Sequence, residues 1–197
     1  TGTGKPVPYN PVSTLHSSLS TLHSPLSTLK KGGKSMQKIE SFRINHIFLD
    51  RGLYVSRKDY DKNGEVMATT FDIRLKKPNR EPVINIAEMH TMEHLGATFL
   101  RNHDIYRNET IYFGPMGCRT GFYLILKGDL SSKDALPIVR EMFGFMANFE
   151  GEIPGADAYS CGNYLDQNLP MAKYEAKKFL EETLENITDS QLVYPQE

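Results

Sequence analysis

The sequence predicts an α+β fold in which a mainly antiparallel sheet packs against a few helices. Three segments rich in β-branched and aromatic residues precede any helical pattern, at 42–49, 53–57 and 65–75. The turn sequence Asp61-Lys-Asn-Gly64 separates the last two and is typical of a hairpin. Because hairpin signals occur here instead of repeated βαβ units, we expect antiparallel pairing of the strands.

Helical and extended patterns then alternate along the chain. Apolar spacing predicts a helix at about 85–102, and two further strands are expected at 110–113 and 122–126. Asp134 is the expected N-cap of a second helix, which would place Pro137 in the first turn, where its missing N–H costs little. The apolar stripe of that helix is Leu136, Val139, Phe143, Met146 and Phe149. A third helix is expected to begin near Asn168, with Ala172, Ala176, Phe179, Leu180 and Leu184 at helical spacing.

The first part of the chain has a different composition. Residues 13–33 repeat with a period of seven as STLHSSL, STLHSPL and STLKKGG, without aromatic or acidic residues. Such a stretch buries too little apolar surface to offset its ordering entropy. We therefore expect residues 1–35 to be an artificial or disordered N-terminal extension and 36–197 to be a single domain. His16 and His23 lie in the extension and are discounted as ligands.

Charge and cysteine content narrow the class of protein. The net charge is −1, which argues against nucleic acid or an anionic membrane as a partner, and no apolar run approaches the length of a membrane span. No apolar secretory signal is recognisable. The two cysteines, Cys118 and Cys161, are therefore expected to be free thiols in a reducing cytoplasm.

The motif His90-Thr-Met-Glu93-His94 carries the clearest chemistry. On a helix, residues i and i+4 lie on one face, so both imidazoles converge on one point, with Glu93 beside them. Two neutral imidazoles and a nearby carboxylate are typical of a catalytic metal site. A pair of solvated histidines is the alternative, but the flanking residues predict a largely buried helix, and buried polar side chains need partners.

A catalytic zinc or ferrous site usually has three protein ligands and one open position. Candidates for the third ligand are Cys118, Cys161, His46, His103 and any carboxylate, of which the thiols are favoured. His103 is expected at the surface. Spacing alone does not distinguish the cysteine that binds metal from the one that reacts.

Two alternatives remain open. His-x-x-Glu-His also fits an inverted-motif zinc metallopeptidase with Glu93 as the base that activates water, although those enzymes are larger and use a glutamate as third ligand. The other is a metal-stabilised binding protein without turnover, in which a fourth ligand such as Cys118 would close the site.

Several further stretches accompany the histidine motif. They are Ser41–His46, Phe71–Arg74, Lys77–Asn79, His90–Leu95, Arg101–His103, Pro115–Tyr123 and Cys161–Gly162. In this order they resemble the S-ribosylhomocysteine lyase family, the LuxS autoinducer-2 synthases of quorum sensing. The resemblance covers nearly all of residues 36–197, and implies that they form a metal-dependent lyase domain.

The resemblance implies a role for each matching residue. His90, His94 and Cys161 would hold one divalent metal per subunit, Fe²⁺ in the cell and Zn²⁺ or Co²⁺ in purified protein. Cys118 and Glu93 would be the paired general acid and base.

The same resemblance implies substrate-binding residues and a quaternary structure. Arg74 would lie close to the cysteine and the substrate. Ser41 and His46 would reach into the active site of the neighbouring subunit, because the family is a homodimer with both sites at its interface. Where members carry Asp in an Ile-Asp-Ile-Ser run, this chain has Ile111-Tyr112-Phe113-Gly114, and we expect Tyr112 to replace that Asp only in part.

The implied reaction fits the residues. S-ribosylhomocysteine would give homocysteine and 4,5-dihydroxy-2,3-pentanedione, after the sugar carbonyl has moved from C1 to C3. Each move removes a carbon-bound proton and returns one to a neighbouring carbon, and a metal would stabilise the enediolate as a Lewis acid. Two proton carriers therefore favour isomerisation and elimination, whereas a hydrolase needs only one base.

Overall fold

The computed structural model describes residues 39–195, and the predicted extension at 1–35 lies outside them. In chain order the regular elements are β1 (Gly52–Tyr60), β2 (Val66–Arg74), α1 (Ile86–Asn102), β3 (Thr110–Pro115), β4 (Gly121–Lys127), α2 (Ser132–Asn148) and α3 (Leu169–Phe179). Short 3-10 turns at Glu40–Phe42 and Asp189–Gln191 lie near the two ends, and a π turn at Leu180–Leu184 continues α3.

The four strands form one sheet in the order β1-β2-β4-β3, and every neighbouring pair is antiparallel. The predicted α+β class is therefore confirmed. The hairpin between β1 and β2 closes at Gly64, whose φ of +86° is a backbone conformation that favours glycine. The Asp61 carboxylate accepts hydrogen bonds from the N–H groups of Asn63 and Glu65 in this turn.

Helices cover one face of the sheet, and the hydrophobic core lies between them. Phe71, Phe113 and Phe122 point into this layer, and the last two rings stack at a centroid distance of 5.1 Å. A Cβ on Gly96 would come within 2.4 Å of the Phe113 ring, so the glycine lets α1 lie directly on the sheet. This close packing fixes α1, and with it the histidine motif, against the strands.

The helix termini follow the local sequence, with one correction. Asn85 caps α1, and its capping box with Glu88 agrees with the predicted start. The N-cap of α2 is Ser131, whereas Asp134 is the third residue of the helix and completes a capping box with that serine. Pro137 therefore lies inside the helix, beyond the predicted first turn. Among residues 39–195 no helix is long and apolar enough to cross a membrane.

The predicted strand at 42–49 is wrong. This segment forms a 3-10 turn and further turns, in which the Asn45 side chain accepts the Ile47 N–H. Within residues 39–195 no strand pairs with this segment, and β-forming residues do not make a strand without a neighbour. Phe42, Ile47 and Phe48 consequently remain largely exposed, at 71%, 69% and 66%.

Candidate metal centre

His90 and His94 lie one turn apart on α1 and converge as the motif predicts. Their Nε2 atoms are 3.1 Å apart, and the rings meet edge to face. Cys161, from the segment between α2 and α3, brings its Sγ to 3.3 Å from His90 Nε2. The three ligand atoms lie within 4.8 Å of one another, and all three residues are half-buried. The group that could bind one metal ion is therefore His90, His94 and Cys161.

Backbone carbonyls fix which nitrogen of each imidazole faces the group. Nδ1 of His90 lies 2.9 Å from the Asp166 carbonyl oxygen, and Nδ1 of His94 lies 2.7 Å from that of Pro154. A carbonyl oxygen only accepts, so each Nδ1 carries the proton and each Nε2 presents a lone pair. This pattern of outer partners is typical of metal-binding histidines.

The donor set fits a divalent metal. Two unprotonated nitrogens 3.1 Å apart repel each other unless a cation lies between them. In a tetrahedral site with bonds of about 2.0–2.1 Å, two nitrogens are separated by roughly 3.3 Å, close to that value. Two imidazoles and one thiolate suit ferrous iron, cobalt or zinc, and do not distinguish among them.

Cys161 is positioned by the loop around it. Its N–H donates to the Asp157 carbonyl at 3.0 Å, and the Asp157 carboxylate accepts the N–H groups of Tyr159 and Ser160. Hydrogen bonds from Ser160 and Tyr159 lower the pKa of Asp157, so this carboxylate remains charged and holds the turn. The Asn163 N–H points at the sulfur at 3.4 Å.

Glu93 lies beside the metal-binding group and faces the β3–β4 turn. With His90, Met116 and Arg119 it lines a cavity of about 240 Å³. The carboxylate is half-buried.

Cys118 lies on the β3–β4 turn and is exposed, and both cysteines are free as predicted. Arg119, with φ of +59°, reverses the chain immediately after it. The Cys118 sulfur is 3.8 Å from Arg74 Nη1 and 3.1 Å from Thr120 Oγ1. The predicted neighbourhood of Arg74 and Cys118 is therefore present within one chain.

Asp72 was not anticipated from the sequence. It is 1% exposed, and its Oδ2 accepts hydrogen bonds from Arg74 Nη2 at 2.5 Å and from the Tyr194 hydroxyl at 2.8 Å. Burial raises the pKa of Asp72 against the opposing charge of Arg74. Burial alone would lower the pKa of Arg74, but the negative charge of Asp72 raises it by more. The pKa of Arg74 is therefore raised, and the guanidinium stays charged. The two-residue spacing in Phe71-Asp-Ile-Arg74 could have indicated that both side chains share one face of β2.

The remaining predicted residues lie outside the metal-binding group. Ser41 and Tyr112 line a cavity of about 750 Å³ on the sheet face that the helices leave uncovered. His46 is half-buried, with Nδ1 2.8 Å from the Ile44 carbonyl oxygen. His103, expected at the surface, is only 18% exposed because it packs on the Phe99 ring.

Comparison with known proteins gives an independent result. The family model of LuxS, S-ribosylhomocysteinase, matches residues 39–190. S-ribosylhomocysteine lyase of Clostridium beijerinckii is 64% identical over 160 residues, which cover 81% of this chain and 99% of the relative. The corresponding lyases of Clostridium acetobutylicum and Porphyromonas gingivalis are 62% and 57% identical over 161 and 160 residues. These alignments cover 82% and 81% of this chain, and 100% and 99% of the two relatives.

Proposed function

Because this chain belongs to the LuxS S-ribosylhomocysteinase family, we propose that it is a carbon–sulfur lyase that cleaves S-ribosylhomocysteine to homocysteine and 4,5-dihydroxy-2,3-pentanedione. The observation that carries the proposal is the convergence of His90, His94 and Cys161 in a chain that matches the family over residues 39–190. The product is the precursor of autoinducer-2, so the enzyme takes part in quorum sensing and in the recycling of homocysteine.

The metal ligands in this proposal are His90, His94 and Cys161. A bound divalent cation supplies Lewis acidity, which makes the protons next to the sugar carbonyl easier to remove. The two histidines are held in the ligating tautomer by the Asp166 and Pro154 carbonyls. Fe²⁺ is the proposed metal in the cell, and Zn²⁺ or Co²⁺ could replace it in purified protein.

Glu93 and Cys118 are the proposed proton carriers. Each carbonyl shift takes one proton from carbon and returns one to a neighbouring carbon, with no net oxidation. In the elimination step a proton leaves C4, its electron pair forms the C4–C5 double bond, the C5–S bond breaks and the sulfur of homocysteine takes a proton. The resulting enol then takes a proton at C5 and loses its C4 hydroxyl proton, which gives the dione. Glu93 lies beside His90, and Cys118 lies next to the cation of Arg74, which favours its thiolate.

A homodimer with shared active sites is part of the proposal. Exposed apolar side chains at Ile39, Phe42, Ile47 and Phe48 flank Ser41 and His46 in the sequence. Such a patch on the N-terminal segment suits burial against a second copy of the chain. Ser41 and His46 would then bind substrate in the neighbouring subunit. We further propose that the enzyme works in the cytoplasm, where its free thiols stay reduced.

Two other functions receive less support. A metal-stabilised binding protein would need a closed site with four protein ligands, whereas the metal-binding group among residues 39–195 comprises three side chains and not Cys118. An inverted-motif metallopeptidase would use Glu93 alone as base, which leaves Cys118 beside Arg74 without a role.

The test is to purify the full chain anaerobically, measure its metal content and follow thiol release from S-ribosylhomocysteine. We expect about one equivalent of divalent metal per chain and stoichiometric release of homocysteine. Metal-loaded protein that releases no thiol would contradict the proposed function.

A further inference from the structure

Five side chains form a hydrogen-bonded series on the sheet face that the helices leave uncovered. It begins at the Tyr194 hydroxyl, passes through the Asp72 carboxylate and the Arg74 guanidinium, and ends at Thr120 Oγ1 and the Cys118 sulfur. None of these residues belongs to the metal-binding group. Asp72 and Arg74 are 1% and 3% exposed, so the middle of the series is shielded from solvent.

The geometry of Arg74 determines what it does for Cys118. Its Nη1 donates to Thr120 Oγ1 at 2.5 Å and lies 3.8 Å from the sulfur, while its Nη2 donates to Asp72 at 2.5 Å. One end of the guanidinium is therefore anchored by Asp72 and the other is presented to the thiol. A cation at this position stabilises the thiolate.

The negative charge of Asp72 also partly cancels the positive charge that Arg74 presents to Cys118. The Tyr194 hydroxyl donates to the same Oδ2 that Arg74 contacts, at 2.8 Å, and so takes up part of the Asp72 charge. Within the described residues, Asp72 Oδ1 and Arg74 Nε have no hydrogen-bond partner. A buried ion pair with unpaired atoms contributes little to stability, which favours a functional reason for its burial.

The C-terminal segment fixes Tyr194 independently of Asp72. Its ring stacks on Tyr54 with centroids 4.8 Å apart and an angle of 12°. The preceding Leu192 is buried, and its carbonyl accepts the Ser132 hydroxyl at 2.9 Å. The segment that carries Tyr194 therefore packs against α2 and β1, and this packing places the Tyr194 hydroxyl next to Asp72.

We propose that Asp72 and Tyr194 are positioning residues for the lyase reaction: Asp72 orients the Arg74 guanidinium toward Cys118, and the Tyr194 hydroxyl reduces the opposing charge of Asp72. This inference rests on the proposed role of Cys118 as a proton carrier. The titratable and charged groups that face the series are His46, Tyr54, Tyr123 and Arg57. None of the four is changed in Tyr194→Phe or Asp72→Asn, and Tyr54 is changed only in the control variant.

The test is the pH dependence of Cys118 alkylation by iodoacetamide in Zn²⁺-loaded full chain, read by mass spectrometry of the Cys118 peptide. Tyr194→Phe leaves more negative charge on Asp72, so the pH of half-maximal rate should rise by about 0.5 unit, equivalent to about a threefold slower reaction at neutral pH. Tyr54→Phe is the matched control, because its hydroxyl bonds to the Asp50 and Arg51 carbonyls instead. An unchanged profile for Tyr194→Phe, or an equal shift for Tyr54→Phe, would overturn the proposal.

A double-variant cycle separates this mechanism from a general loosening of the fold. Asp72→Asn removes the charge on which Tyr194 acts, so Tyr194→Phe should have no effect in that background. Persistence of the shift would overturn the proposal. If Asp72→Asn does not fold, the two tyrosine variants still decide the question.

Turnover supplies the second readout. Tyr194→Phe should lower kcat at neutral pH by about the same threefold factor, with little change in KM. Because alkylation needs no substrate, it tests the positioning role even if S-ribosylhomocysteine is not turned over. Failure of the unmodified chain to release homocysteine would count against the proposed function alone.

Discussion

The Nε2 atoms of His90 and His94 face each other across 3.1 Å, and both carry lone pairs because their Nδ1 atoms donate to backbone carbonyls. The histidine pair therefore depends on a cation. The third contact comes from Cys161, at 3.3 Å from His90. We therefore expect substitution of Cys161 to affect metal binding and substitution of Cys118 to leave it unchanged.

Cys161→Ser and Cys118→Ser form a matched pair of variants. Cys161→Ser should lose most of the metal, and its activity as a consequence. Cys118→Ser should retain the metal but lose about 10²- to 10⁴-fold in kcat, because it removes the proposed proton carrier and no proposed ligand. Metal content by elemental analysis and thiol release distinguish the two, and equal metal loss would point to a closed site that includes Cys118.

Mixed dimers test the proposal that two chains share their active sites. Cys118→Ala and His46→Ala should each be nearly inactive alone. After subunit exchange at equal concentration, half of the dimers carry one mutation in each chain, and one of their two sites has both residues intact. We expect recovery to about one quarter of the wild-type rate.

The control for that experiment uses two residues in contact within one chain. Mixing Cys118→Ala with Arg74→Met should restore nothing, because Arg74 Nη1 and the Cys118 sulfur lie 3.8 Å apart in the same chain. Absence of recovery in the His46 mixture, with subunit exchange shown separately, would mean that each site is built from a single chain.

Tyr194 should make the free energy of unfolding depend on alkaline pH. Burial and the neighbouring Asp72 charge raise its pKa above the usual value of 10.0. Below pH 10 the tyrosine is protonated in both states, whereas above it the unfolded chain ionises first, so stability falls as pH rises toward the folded pKa. Tyr194→Phe should lower stability by about 1–3 kcal/mol at neutral pH and make this decline shallower.

Urea unfolding at several pH values measures that effect. Tyr159→Phe is the control, since that side chain is fully exposed at 100% and should not alter the curve. Tyr54 also has a pKa raised by burial, so the decline should become shallower but not disappear. An identical alkaline decline in wild type and Tyr194→Phe would contradict the assignment.

The buried ion pair between Lys76, two residues after the end of β2, and Glu175 on α3 gives a stability prediction. Lys76 Nζ lies 2.8 and 2.6 Å from the Glu175 oxygens, and the side chains are 8% and 11% exposed. Lys76→Met should cost about 3–5 kcal/mol in urea unfolding because it leaves a buried carboxylate unpaired, and adding Glu175→Leu should recover most of it. Lys133→Met, from a pair with Asp189 whose side chains are 70% and 86% exposed, should leave the free energy of unfolding almost unchanged.

Residues 1–35 should be dispensable for folding and turnover. Their seven-residue repeat lacks a packable apolar pattern, and the family match begins at residue 39. A chain beginning at Met36 should match the full chain in melting temperature and kcat. A fall of several degrees would show that the extension packs on the domain.

Features decided by nearby residues could be predicted from the sequence. Helix α1 and its histidine pair follow from spacing within one turn and from the Asn85 cap. Local sequence was insufficient where two residues could both be the N-cap of a helix. At the start of α2 the N-cap is Ser131, and Asp134 completes the capping box with it. The strand expected at 42–49 failed because strand formation requires a partner, which no local pattern reveals.

Two features of the site depend on contacts between residues far apart in the sequence and could not be predicted from residue spacing. Residue spacing alone did not separate Cys161 from Cys118 as the metal ligand, since the choice depends on how a loop 71 residues after His90 folds back. The resemblance to the lyase family supplied that assignment. The contact of Tyr194 with Asp72 spans 122 residues and was missed altogether.

The order of the metal-binding residues along the chain has a consequence for synthesis on the ribosome. The histidine pair on α1 is made first, and Cys161 follows 71 residues after His90, with Asp166 later still. At about 5–20 residues per second, the nascent chain therefore exposes an incomplete site for about 4–14 seconds. During that interval the two imidazoles can hold a cation only weakly, because the third ligand is still missing.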